Sequence, residues 1–142
     1  VSTAERQNPP LTNRMSGAPD PAFAYVDEER CRSFQKSAEL VGRKWTAGIL
    51  LAGMRGARRF SEYRAHVAGI SDRLLTVRLR ELELEGLLDR HVVPTTPVLV
   101  TYVPTRRAAG LMQALHPLVT WSLADQRSAG AAAEAQDDNR VS

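Results

Sequence analysis

Arg73, Thr76, Val77 and Arg80 fall on one flank of the stretch "ISDRLLTVRLRELELEGLLDRHV", residues 70–92. Leu75, Leu79, Leu82 and Gly86 recur on the opposite flank at helical spacing. Two guanidinium forks on one face suit a planar or polyanionic acceptor: a phosphate oxygen, or the O6/N7 edge of a guanine. A threonine and a valine between them offer a hydroxyl and methyl groups, the latter suited to a thymine methyl. Ser71 stands where a helix N-cap belongs and can also donate to a phosphate, and Asp72 suits the positive end of a helix dipole. A solvated, arginine-rich surface is the bland alternative.

The surroundings of this stretch are basic. Between residues 41 and 80 nine arginines and lysines oppose only Glu62 and Asp72, a local balance of +7 within a chain of net charge +3. Such a block favours a polyanionic partner. Lysine occurs only at positions 36 and 44, so a GC-rich genome explains part of the arginine bias. Arg58, Arg59 and Arg64 fit phosphate clamps, which fix register without reading sequence. Arg78 borders the apolar flank and reads as an ion-pair partner for Glu62 or Glu81.

Catalysis finds little support. His66, His91 and His116 are scattered, and no paired carboxylates, phosphate loop or serine elbow appears. Their spacing relative to Cys31 is not that of metal ligands, and no cofactor motif is present. The single cysteine excludes an intramolecular disulfide and fits a reducing cytoplasm. No apolar run is long enough to cross a membrane, and no signal-peptide pattern opens the sequence.

With 142 residues and 43% hydrophobic content, the chain suits one soluble domain. Residues 1–25 read as a disordered arm and 127–142 as a disordered tail, with at most a frayed helix through the tail's alanines. The folded domain is expected at 26–126. Phe34, Ser37, Ala38 and Val41 predict a first helix, ended by Gly42. Trp45, Ile49 and Ala52 predict a second, buried one, with Trp45 in the core. "FSEYRAHV" predicts a third, capped by Ser61, and the stretch from Ser71 to Glu85 a fourth. "LLDRHVV" and "VLVTYV" then read as two strands joined by "PTTP", and Thr105 as the cap of a last helix reaching about Ala124, kinked at Pro117. The expected fold class is α+β, mainly α: a winged helix-turn-helix with a two-stranded wing and a C-terminal helix. In that fold the second helix of the turn enters the DNA major groove. The wing tip lacks arginine and lysine, leaving Arg90 and His91 as its nearest polar candidates.

Four segments together resemble one family. "GRKW" is similar to a G-x-[KR]-W opening and "RRFSEYR" to R-[RK]-F-[ST]-E-L-x. "GISDRLLTVRLRELELEGLL" is similar to G-[IL]-S-x-[RK]-x-L-[ST]-x-R-L-[RK]-x-L-E-x-x-G-[LI]-[LIV], and "TPVLVTYVPT" to the T-P-x-x-V-x-Y-x-L-T that ends the wing. This ordered set, over about 90 residues, resembles the HxlR-type winged-helix transcriptional regulators of bacteria. The resemblance implies a homodimer, repressor or activator, that pairs through its first and last helices and binds double-stranded DNA at a palindromic operator.

It also raises a sensing role. Relatives often carry a cysteine before the first helix, and Cys31 stands near that place, flanked by Arg30 and Arg32, which favour a thiolate. The spacing to Trp45 is one residue longer than in the family, and the usual following proline is Arg32. A lone cysteine is more often inert. A pocket between the first and last helices, lined by Phe34, Met112, Leu115 and Trp121, would instead take a small molecule or electrophile, or the same residues would form the dimer core. A third alternative, a winged-helix protein-interaction module, would need a neutral recognition face, which this sequence lacks.

Overall fold

The computed structural model describes residues 17–141. The chain divides into two units between Ala38 and Glu39, and each is taken by itself.

In the first unit, Asp20 accepts from the Ala22 amide at 2.8 Å and opens a short 3-10 turn, Pro21–Phe23. Helix α1, Glu28–Gly42, begins here and continues into the second unit. The Asp27 carboxylate accepts from the Arg30 amide at 2.9 Å and from its guanidinium at 2.8 Å. With Glu28 and Glu29 in the first turn, this acidic start complements the helix dipole. It also explains why α1 starts six residues before Phe34, the first residue of the apolar spacing. The disordered arm expected at 1–25 lies outside the described residues up to position 16. At 17–25 the chain is exposed and carries only the short turn.

The second unit is built on α2 (Thr46–Met54), α3 (Phe60–His66), α4 (Asp72–Leu84), β1 (Leu88–Val93), β2 (Leu99–Pro104) and α5 (Arg106–Val141). Helix α2 is apolar all round and lies at the centre, with Ile49 and Leu50 fully buried. Around them close Leu75, Leu79 and Leu82 of α4, Leu87, Leu88 and Tyr63. Each buried aliphatic side chain of this kind contributes about 1.5–3 kcal/mol relative to exposure.

Helix α3 starts after Arg59, not at Ser61. The Arg59 amide donates to Glu62 Oε1 at 3.1 Å, so the helix opens two residues earlier with Phe60 packed against the core. Gly69, at φ +89°, makes the turn into α4, with the Trp45 ring 3.5 Å from where its Cβ would be. The α4 start is as expected: Ser71 Oγ accepts from the Leu74 amide at 3.2 Å. Strands β1 and β2 form an antiparallel hairpin in which Leu88 pairs with Pro104, Arg90 with Tyr102 and Val93 with Leu99.

Thr105 caps α5. Its hydroxyl donates to Gly86 O at 2.8 Å and accepts from the Ala108 amide at 3.2 Å. The helix is continuous through Pro117 and on to Val141. Residues 127–141, expected as a disordered tail, are therefore helical. They bury nothing, and the physical reason is intrinsic propensity, since Ala129, Ala131, Ala132, Ala133 and Ala135 are strong helix formers.

Candidate nucleic-acid interface

The two flanks of α4 are separated as the spacing predicts. Leu75, Leu79 and Leu82 are enclosed, whereas Arg73, Thr76, Val77 and Arg80 are exposed. Neither Arg73 nor Arg80 has a hydrogen bond or ion pair among the described residues. The Thr76 hydroxyl donates to Asp72 O at 2.8 Å, so its methyl is the group left for an apolar contact. Ser71 uses an oxygen lone pair for the cap and keeps its proton for another acceptor.

The supporting arginines divide. Arg59 is exposed. Arg64 is exposed and reaches Asp72 at 3.0 Å, tying α3 to the head of α4. Arg58, expected among the phosphate clamps, turns inward instead. Its guanidinium donates to Gly53 O at 2.9 Å and to Ala57 O at 2.7 Å, carbonyls of the last turn of α2 and of the turn that follows it. Arg78 pairs with Glu81 at 3.0 Å, not with Glu62, and its Nε donates to Lys44 O at 3.2 Å. Arg43 approaches the same Glu81 at 3.8 Å. The α1–α2 junction is thereby held against α4. There Trp45, at φ 79°, is half-buried on the core under the Lys44 ammonium, 5.0 Å from its ring. Arg90 and His91 are exposed on β1.

Of the residues expected to line a small-molecule pocket between the first and last helices, Met112, Leu115 and Trp121 lie in the second unit. Met112 and Leu115 line a small open apolar groove with Leu51, Met54, His116 and Val119, between α2 and α5. Helix α5 runs beside α2 because Pro104, just before it, lies against Gly53. Trp121 is exposed and outside that groove, and Phe34 is exposed in the first unit. Cys31 is also exposed, in the first turn of α1. Of its flanking cations, Arg30 is already paired with Asp27.

Sequence reasoning missed the roles of Tyr63 and Tyr102. The Tyr63 hydroxyl donates to Tyr102 O at 2.8 Å across 39 residues, a contact no local pattern announces. Burial pushes the Tyr63 hydroxyl up to about 12, with Arg58 opposing.

Among the described residues, no group of three or more His, Cys, Asp or Glu stands together to hold a metal, and no helix is long and apolar enough to cross a membrane. A buried helix, a short helix, an amphipathic helix with an outward cationic flank, and a hairpin closing on them define a winged helix-turn-helix. The HxlR-like helix-turn-helix family matches residues 40–128, and the chain belongs to it. The transcriptional regulator YvaP of Bacillus subtilis is 37% identical over 94 residues, which are 66% of this chain and 87% of that one. YodB, a transcriptional regulator of the same organism, is 33% identical over 92 residues, 65% of this chain and 82% of its own. Its structure after diamide treatment superposes with a TM-score of 0.56 at 31% identity, covering 72% of this chain and 95% of that chain. The redox regulator HypR, in its reduced form, superposes with a TM-score of 0.62 at 28% identity, covering 66% and 93%. The chain is a transcriptional regulator of the helix-turn-helix type, as its relatives are.

Proposed function

We propose that the chain is a sequence-specific DNA-binding regulator that acts as a homodimer on a palindromic operator. The reading is carried by the outward flank of α4, where two unpartnered guanidinium groups, Arg73 and Arg80, bracket Thr76 and Val77. Placed in the major groove, Arg73 and Arg80 read guanine edges, and Thr76 and Val77 meet thymine methyls. Ser71, Arg59 and Arg64 hold phosphates, and Arg90 and His91 on the wing follow the backbone beside the recognition helix. Arg58 is left out of this set because the turn after α2 engages it.

Dimerisation is supported by the last helix, where Leu118, Val119, Trp121 and Leu123 are all about half exposed. Large apolar side chains left exposed on one helix of a regulator suit a second subunit. Two copies would set their recognition helices roughly 34 Å apart, one turn of duplex. Selection of bound fragments from random DNA tests the whole reading. The expected product is an inverted repeat with half-sites about one helical turn apart. Recovery of no preferred sequence refutes it.

A second reading, oxidant gating at Cys31, is favoured by the exposure of that thiol and by the likeness to HypR and to diamide-treated YodB. Cys31 has no other cysteine in its own chain, so disulfide formation needs a thiol from elsewhere. In that step two thiols join through a new S–S bond while diamide takes up the two electrons and two protons. Operator binding by wild type and Cys31→Ser, with and without diamide, decides it. Equal affinity throughout ends the idea.

A further inference from the structure

Tyr63 has no exposed surface, yet it carries a hydroxyl that core packing does not require. In the motif that "RRFSEYR" resembles, leucine stands at this position. A leucine fills space but donates nothing. Here the hydroxyl donates to the Tyr102 carbonyl at 2.8 Å, and the two rings meet edge to face with centroids 6.3 Å apart.

The contact sits at a junction. The Tyr102 amide donates to Arg58 O at 2.7 Å, and the Arg58 guanidinium ties back to the end of α2. Gly53 keeps the place clear: a Cβ there would stand 3.0 Å from the Tyr63 oxygen and 2.8 Å from Pro104 Cγ. Three elements, α2, α3 and β2, therefore converge on one phenol. On the sheet, Tyr102 is the direct partner of Arg90, the exposed arginine of the wing.

We propose that the Tyr63 hydroxyl is a positioning group for the wing: by holding the β2 backbone at Tyr102, it sets where Arg90 and His91 stand relative to the recognition helix. The inference rests on the reading that the wing touches DNA. Tyr63 itself touches no nucleic acid; it acts through Tyr102 and the strand pair.

The test compares wild type with Tyr63→Phe, which keeps the ring and removes the donor, and Tyr63→Leu, which restores the motif's residue. Hydrogen exchange of the free protein is the first readout. Amides of β1 and β2 are expected to exchange about fivefold faster in both variants, roughly the effect of one lost hydrogen bond, with those of α4 unchanged. The second is a double-mutant cycle on operator affinity. Tyr63→Phe is expected to weaken binding about fivefold in wild type and to have little effect on Arg90→Ala. Unchanged wing exchange, or acceleration shared equally by α4, overturns the tether. A Tyr63→Phe loss as large in the Arg90→Ala background overturns its link to the wing arginine. Arg90→Ala binding as tightly as wild type overturns the wing contact itself, a failure distinguishable from that of the tether.

Discussion

Arg73 and Arg80 differ from Arg58 in one respect: what lies within reach of the guanidinium once the chain has folded. The first two meet solvent, whereas the third meets two carbonyls at the end of α2. Spacing could assign the first two, because Leu75, Leu79 and Leu82 fix the buried side of α4 and so fix its outer side. It could not assign Arg58, because the acceptors that capture it belong to a backbone turn. Arg73→Ala and Arg80→Ala are each expected to weaken operator binding by about 1–3 kcal/mol and to relax base preference locally. Arg59→Ala should weaken all sequences alike and lower the slope of log affinity against log salt by about 1. Gel shifts on operator and scrambled duplex at several salt concentrations measure both, and a uniform loss from all three variants would refute base reading. Tyr63 gives a prediction in pH. Its hydroxyl has an ordinary value of 10.0 and is pushed up to about 12 in the fold, so above pH 10.0 the unfolded chain loses this proton while the folded one keeps it. Stability should therefore fall as pH rises through that window, at up to about 1.4 kcal/mol per pH unit from this group. Urea melts of wild type against Tyr63→Phe isolate the contribution, and parallel pH profiles would contradict it.

Helices and strands were legible where apolar period and punctuation agreed. Ser71 capping α4, Thr105 capping α5, and the β1–β2 hairpin all follow from residues within a few positions of the boundary. Starts set by acidic side chains were less so: Asp27 extends α1 and Glu62 moves the cap of α3 to Arg59, both through bonds to backbone amides that leave no trace in hydropathy. The far end of α5 was read as tail, with at most a frayed helix, because it has little periodic apolar content, yet alanine needs no core to be helical. Gly53 shows how tightly elements can meet. Gly53→Ala should destabilise the fold by about 1–3 kcal/mol, because its methyl would press on Pro104 and on the Tyr63 oxygen. Gly110→Ala, with open space at its Cβ, should not. Thermal melts of the pair check this, and equal midpoints would count against the close approach.

For the molecule as a whole, the +7 block of residues 41–80 foreshadowed a polyanion, but not which cations would be free to meet it. Folding sorts them: Arg58 into a turn, Arg78 into an ion pair, and Arg59, Arg73 and Arg80 to the surface. The long-range junction at Tyr63 was illegible because its partners lie far apart in sequence. Arg64 remains between these groups, since it faces outward yet leans on Asp72 at 3.0 Å. With both side chains well exposed, such a pair is worth at most about 1 kcal/mol, so an arriving phosphate can displace the carboxylate easily. On the proposed reading, Asp72 would then compete with a DNA phosphate for Arg64 at the head of α4. Asp72→Asn should then tighten binding to operator and to random duplex by a similar factor, which gel shifts on both would measure.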